Sequence, residues 1–290
     1  MGKIKGYVFL AFTILMFSTF EVVSYPLKAF MGPLQLTFLR FIIGGLSLLP
    51  FVLLNRNENK LKRKDYFYFA VLGALNVGVS MGCMQAAIFF GKASTAAVIV
   101  SSNPIFVMMF SIFLLKEKLE KNRLIAILFG LVGLIFIASR YNSGGDSFAG
   151  VFLAILGTVV FALYTVLSKM KSENVSSIAM ISYSSIFGSL VYIPYFIVSG
   201  INPINIPSET IIRLLFLGVI VSGLAYYTYI EALKILGAGK GSMVFFLKPA
   251  IAIILAAIFL GEIIKINTIV GSLLILVGMF INFFVRRRNE

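Results

Sequence analysis

A lysine lies in the middle of a long apolar segment, AGKGSMVFFLKPAIAIILAAIFLGE, which runs from Ala238 to Glu262. The segment is long enough to cross a bilayer, so we expect Lys248 about 15 Å deep, near mid-membrane. An ammonium at that depth costs at least ~2.5 kcal/mol, and ionisable residues there usually mark a substrate or ion site. Pro249 removes a backbone donor, which is tolerated only beside neighbouring helices or a wet cavity. Lys248 is therefore predicted to face a polar cavity and to bind a carboxylate or phosphate.

Two other interpretations of Lys248 stay open. It could carry a coupled proton, or it could form a permanent ion pair with a carboxylate elsewhere in the helix bundle.

Glu21 and Arg40 form a second candidate pair. Each lies about six residues from the same end of the first two predicted membrane helices. Because they share a depth, they are expected to pair across the hairpin, which offsets much of the cost of burying either charge. The pair would either clamp the hairpin permanently or let Glu21 alternate between Arg40 and a proton or substrate. The chain has no histidine, so a carboxylate or Lys248 would have to carry any proton coupling.

Polar and aromatic side chains recur at intervals of three or four residues along several predicted helices, which places each set on one helix face. We predict that these faces line a cavity and that Asn76, Tyr164, Tyr226 and Tyr229 contact the substrate. The alternative is helix packing, because small and polar residues are common where membrane helices meet. The sets are Thr13, Phe17, Glu21 and Ser24; Asn76, Ser80 and Cys83; Gly157, Phe161, Tyr164 and Ser168; and Ser222, Tyr226 and Tyr229.

The composition places these helices in a membrane. Of 290 residues, 60% are hydrophobic and 12% are charged, and the mean hydropathy is +1.01, far too apolar for a soluble domain. The net charge of +14 does not indicate nucleic-acid binding, because it lies mostly in short loops. Ten apolar windows of about 20 residues are predicted as membrane helices. They are 6–28, 33–54, 66–90, 93–115, 122–140, 148–169, 176–199, 209–233, 238–260 and 266–285.

The segment around Lys248 occurs twice in the chain. Ala93–Glu117 aligns without a gap with Ala238–Glu262, 145 residues later, and the alignment pairs Pro104 with Pro249. Internal repeats of this kind are typical of transporters.

The repeat predicts two units, residues 1–145 and 146–290, with five helices each. Since five is odd, the second unit runs inverted relative to the first, and a site is expected between them at the midplane. Asn103 occupies the place equivalent to Lys248 and is predicted to offer a neutral hydrogen bond to the same ligand.

Basic residues indicate the orientation, because lysine and arginine concentrate in cytoplasmic loops. The loops on the N-terminal side hold most of them, including the run from Lys116 to Arg123, whereas the other side has only Lys28, Lys92, Arg140, Arg213 and Lys265. Both termini are therefore predicted to be cytoplasmic in a multi-pass protein of the plasma or inner membrane.

Two sequence motifs resemble those of a known family: Pro104…Leu114-Leu115-Lys116-Glu117 and Pro249…Phe259-Leu260-Gly261-Glu262. They resemble the repeated EamA-type unit of the drug/metabolite transporter superfamily. GPLQLTFLRF (32–41), GCMQAAIFFGKAS (82–94) and GLAYYTYIEALKILGAG (223–239) support the resemblance. It implies ten helices in two inverted halves around a central cavity and transport of small metabolites, often outward, by alternating access. Arg40 lies where helices of this family usually carry an arginine.

Glu117 and Glu262 end equivalent helices at membrane edges. We expect them to accept hydrogen bonds from neighbouring backbone N–H groups or to pair with loop lysines.

The sequence offers no chemistry for an enzyme. It contains no phosphate-cradling loop, paired carboxylates, nucleophile with a base, or metal-ligand cluster, and Cys83 is its one cysteine. We predict no cofactor, no metal and no nucleic-acid partner. The expected partners are the lipid bilayer and a small molecule, with a homodimer left open.

The predicted function is secondary transport, in the direction of export, of a small anionic or zwitterionic metabolite such as an amino acid, with proton coupling or antiport left open. Two alternatives remain. One is exchange of phosphorylated or nucleotide-bearing solutes, which a second cation in the cavity would favour. The other is a lipid-handling membrane protein.

Overall fold

The computed structural model describes residues 2–54, 61–115, 147–241, 244–262 and 266–286, with a few single positions between 125 and 136. These residues form helices and contain no strand, so the all-helical prediction is confirmed for them. Seven helices in this part of the chain are long and apolar enough to cross a membrane. The predicted window 122–140 lies largely outside the described residues.

We number the helices in chain order. The first six are α1 Gly2–Ser24, α2 Pro33–Leu54, α3 Arg63–Phe90, α4 Ala93–Ser101, α5 Asn103–Leu114 and α6 Phe148–Ser172. The others are α7 Ser177–Leu190, α8 Ile193–Ser199, α9 Ser208–Leu236, α10 Ala238–Gly241, α11 Val244–Leu260 and α12 Ile266–Arg286.

The distribution of side chains is that of a membrane protein. Large apolar residues cover the outside, with Phe67 73% and Val198 88% exposed, whereas Thr37 and Ser182 are fully buried. Several of the buried hydroxyls bond to backbone carbonyls; Ser182, for example, donates to the carbonyl of Gly45 at 2.8 Å. Such a surface suits hydrocarbon, where every buried polar group needs a partner inside the protein.

The two prolines that align in the repeat act differently. In the first unit the helix is interrupted at Ser102, and Pro104 lies in the first turn of α5, where its missing N–H has no helical acceptor to lose. In the second unit α11 continues through Lys248 and Pro249.

Both α3 and α9 contain a π-helical segment, over Ala74–Met81 and Phe216–Leu224. They are the third helices of the two predicted units. π-Segments are rare and occur frequently at functional sites.

Tyr192 supports the π-segment of α3. Its hydroxyl is buried and lies 2.6 Å from the carbonyl oxygen of Val77 and 2.9 Å from that of Gly78. We expect Tyr192→Phe to lower the free energy of unfolding by about 1 kcal/mol, because these carbonyls lose their donor. Thermal unfolding in detergent measures the change. Tyr195→Phe is the control, because that ring is 44% exposed; equal melting of both variants would contradict the assignment.

Candidate functional site

A small cavity of about 30 Å³ lies between the two predicted units. Helices α1 to α4 supply half of its lining, and α6, α9 and α11 supply the rest. Every lining side chain is buried, so the cavity lies in the interior of the helix bundle. The lining residues are Phe17, Phe20, Arg40, Met81, Met84, Val100, Thr158, Phe161, Val221, Tyr226, Phe245 and Lys248.

Lys248 lines this cavity and forms an ion pair. Its ammonium lies 2.5 Å from Oε1 of Glu21, and the two residues are 3% and 0% exposed. Oε2 of Glu21 has no hydrogen-bond partner among the described residues. The structure thus combines two interpretations of the lysine: it borders a cavity, and it is neutralised by a carboxylate.

The predicted pairing of Glu21 with Arg40 is corrected by this geometry. Among the described residues no carboxylate lies within ion-pairing distance of Arg40, and Glu21 pairs with Lys248 instead. The physical reason is the packing of the hairpin. α1 packs against α9 and α11, whereas α2 packs against α7 and the π-segment of α9, so equal depth did not bring the two side chains together.

Arg40 is almost fully buried, at 1% exposure, and also lines the cavity. Its guanidinium carbon lies 4.1 Å from the ring centre of Phe20 and 4.7 Å from that of Phe41. Its Nε has no hydrogen-bond partner in the described part of the chain. Cation–π contacts contribute favourably, but they do not replace a counter-ion for a desolvated charge.

The tyrosines fall into an aromatic cluster beside the cavity. Tyr226 lines the cavity, with its ring centre 5.1 Å from that of Phe17. Tyr164 and Tyr229 are fully buried behind it, with their hydroxyls beside the side chains of Ser168 and Thr165. The cluster comprises Phe17, Phe161, Tyr164, Tyr226, Tyr229 and Phe245.

The two predicted asparagines lie outside the cavity lining. Asn103 is fully buried and donates through Nδ2 to the carbonyl of Thr158 at 3.4 Å, which directs it toward α6. Asn76 is buried in the π-segment of α3, and its Oδ1 has no partner in the described residues. The position equivalent to Lys248 in the first unit therefore does not face the cavity.

Comparison with known proteins shows the family to which the chain belongs. The sequence profile of the EamA-like transporter family matches the chain twice, over residues 4–139 and 148–284. The chain belongs to this family. The EamA-like protein is accordingly a multi-pass membrane transporter.

Its relatives share nearly the full length. The EamA-like protein is 34% identical over 290 residues to an uncharacterized transporter of Clostridium kluyveri, covering 96% of this chain and 93% of that relative. It is 25% identical over 261 residues to the uncharacterized transporter YoaV of Bacillus subtilis, covering 89% of each. A crystal structure with 19% sequence identity superposes with a TM-score of 0.71 over 98% of both chains, which shows the shared fold.

Glu262 of the EamA-like protein ties the two predicted units together. Its carboxylate accepts hydrogen bonds from the N–H groups of Ala93 and Ser94, at 2.9 and 3.1 Å, and from the Ser94 hydroxyl at 2.5 Å. Gly261, with φ +64°, permits the turn that follows α11. A carboxylate at the start of α4 satisfies orphan donors and favours the helix dipole. The expected role of Glu262 is confirmed; Glu117 lies outside the described residues.

A second tie lies at the other membrane face. Lys171, at the end of α6, forms an ion pair of 2.5 Å with Asp65, at the start of α3. The Tyr68 hydroxyl donates to the carbonyl of Leu167 at 3.1 Å beside it. Since α4 begins where α3 ends, the two ties close opposite ends of the bundle.

We expect Glu262→Gln to destabilise the EamA-like protein by about 1–2 kcal/mol, because the amide removes the charge and one acceptor from the start of α4. Thermal unfolding in detergent measures the effect. Glu209→Gln is the matched control, because Glu209 is exposed. A Glu262→Gln variant as stable as this control would show that the cap contributes nothing.

Sequence reasoning missed several lining residues. Phe20 precedes Glu21, and Phe245 lies one helical turn before Lys248, so proximity to the charges was their available signal. Met81, Met84, Val100, Thr158 and Val221 carry no such signal. In a membrane protein, apolar residues occur on every helix face, so their position cannot indicate a cavity.

Proposed function

We propose that this protein is a secondary transporter that exports a small anionic or zwitterionic metabolite, such as an amino acid. It would work by alternating access between two inverted units of five helices, residues 1–145 and 146–290. The observation that carries this proposal is the buried cavity between the units, which is lined by Arg40 and by Lys248, the partner of Glu21, among apolar walls. A buried pocket that carries charged side chains at the repeat interface is the arrangement expected of such a transporter.

The two ties suggest how access alternates. Glu262 joins the end of α11 to the start of α4 at one face, and Asp65 joins α3 to Lys171 at the other. Opening one tie while the other holds would admit solvent to the cavity from one side only. A state in which both ties hold would then be the intermediate between the two open states.

Proton coupling is part of the proposal. Protonation of Glu21 would remove its attraction for Lys248, and Oε2 has no partner that would hold the carboxylate in place. A proton would thereby change the charge of the cavity by one. The distribution of basic residues supports cytoplasmic termini in a plasma or inner membrane. We also propose a homodimer, which a mass measurement would test.

The position of Arg40 gives some support to the alternative function, exchange of phosphorylated or nucleotide-bearing solutes. A second cation beside Lys248 was the feature expected for an exchanger of phosphorylated or nucleotide-bearing solutes, and Arg40 lines the cavity. Glu21, however, neutralises Lys248 and leaves one net positive charge. A phosphate dianion would therefore stay partly uncompensated, so we rank this function second.

Uptake into proteoliposomes tests the proposal. The purified protein would be reconstituted and offered labelled amino acids, organic acids and sugar phosphates, with and without a proton gradient. We expect saturable uptake of at least one amino acid or organic acid, and stimulation by the gradient. Uptake restricted to sugar phosphates would favour the exchanger, and no uptake above empty liposomes would contradict transport of these classes.

A further inference from the structure

Arg40 is a buried cation that forms no direct ion pair with any residue that the structure describes, although Glu21 attracts it from a greater distance. Glu21, the carboxylate beside the cavity, is already held by Lys248 at 2.5 Å. The guanidinium is 1% exposed, and its Nε makes no hydrogen bond within that part of the chain. A desolvated charge in this state is costly unless an anion completes it.

The cavity lies directly beside this guanidinium and marks where such an anion would enter. Arg40 is part of its lining, together with Met84, Phe161 and Phe245. The other walls are almost entirely apolar or aromatic, so the guanidinium supplies the donors for a ligand at this end. Guanidinium is weakly hydrated and matches carboxylate geometry with two parallel hydrogen bonds.

The charges at the site specify the ligand charge. Arg40 and Lys248 carry one positive charge each, and Glu21 carries one negative charge, which leaves the site with a net charge of plus one. A monoanion would neutralise the site. A zwitterion would leave it positive, and its ammonium would have to be buried among walls that are mostly apolar or aromatic.

We propose that Arg40 binds the anionic group of the transported molecule, and that this molecule is a monoanion with an apolar or aromatic body, in preference to a zwitterion. The inference rests on the proposed transport function and narrows its substrate class. The aromatic cluster would hold the apolar body. The Glu21–Lys248 pair would remain a neutral neighbour while the proton stays off Glu21.

A series of ligands with one body and different charges tests the proposal by equilibrium binding to the purified full-length protein. The monoanions are benzoate, 3-phenylpropanoate and 4-phenylbutanoate; phenylalanine is the zwitterion, and 2-phenylethylamine is the cation. We expect the best monoanion to bind at least about tenfold more tightly than phenylalanine, because phenylalanine must also bury its ammonium among apolar and aromatic walls. Phenylalanine binding more tightly than all three monoanions, or no binding by any of them, would overturn the proposal.

Variants of Arg40 assign the effect to this side chain. Arg40→Gln is expected to weaken binding of the best monoanion by about 30-fold or more, because the charged partner is lost. Arg40→Lys keeps the charge without the fork and should retain part of the affinity, which also guards against a glutamine variant that fails to fold. If wild type and a folded Arg40→Gln variant bound the best monoanion with equal affinity, the assignment would be overturned. It would also be overturned if Arg40→Gln kept the preference for monoanions over phenylalanine while a folded Arg40→Lys variant bound none of the ligands.

The binding and transport assays fail independently. Arg40-dependent preference for monoanions without uptake into proteoliposomes would retain the anion site and reject the transport function. Uptake of amino acids that is unaffected by Arg40→Gln would retain transport and reject this inference.

Discussion

Replacing Lys248 by methionine is expected to abolish transport and to destabilise the protein by about 3–5 kcal/mol, because Glu21 is left as an unpaired buried carboxylate. In the native protein, Glu21 lies 2.5 Å from the ammonium and is fully buried. Without the lysine, the net charge of the site falls to zero, so an anion gains nothing from entering. Proteoliposome uptake and thermal unfolding in detergent measure the two effects.

The double variant Glu21→Gln with Lys248→Met separates stability from function. Removing both charges is expected to restore most of the stability, because buried ion pairs can often be replaced by neutral groups of similar volume at little cost. It also returns the site to one net positive charge, on Arg40, so anion binding should return. Wild-type uptake by the single Lys248→Met variant would remove the lysine from the mechanism.

Replacing Gly73 by alanine is expected to destabilise the protein by about 3 kcal/mol or more, because a methyl group overfills a backbone crossing. α3 crosses α7 so closely that a Cβ on Gly73 would lie 2.2 Å from the carbonyl oxygen of Ser184 and 2.7 Å from the nitrogen of Gly188. Neither atom can move like a flexible side chain. Thermal unfolding and the yield of monodisperse protein measure the effect.

Gly32→Ala is the control for this prediction, because a Cβ there meets no atom within 4 Å. Gly188→Ala should behave like Gly73→Ala, since its Cβ would lie 2.4 Å from the Gly73 carbonyl oxygen. If the Gly73→Ala and Gly32→Ala variants have the same melting temperature, α3 and α7 do not cross as closely as described.

The sequence predicted the burial of the charged residues better than their partners. Lys248 lies in a helix that borders the cavity, as its place in an apolar segment indicated. Glu21 was assigned the wrong partner because depth follows from counting residues, whereas the direction of a side chain depends on which helices pack together. α1 and α11 are distant in sequence, and no local pattern indicates their contact.

The internal repeat did not predict the surroundings of aligned residues. Asn103 and Lys248 are equivalent in sequence, yet the helix break at Ser102 turns the Asn103 amide toward Thr158. An interrupted helix in one unit and a continuous one in the other place equivalent residues differently. Pairwise identity between the units cannot predict this difference, because it depends on how each helix satisfies its backbone near a proline.

The apolar outer surface of the helix bundle determines which forces hold the molecule together. Because residues such as Phe67 and Val198 face outward, they meet lipid both in the assembled bundle and in separated helices. Association therefore removes little apolar surface from water, and the solvent supplies only a weak driving force. Cohesion comes instead from dispersion between closely fitted backbones, which falls steeply with separation, so a single added methyl group can matter more here than the loss of a large outward-facing side chain.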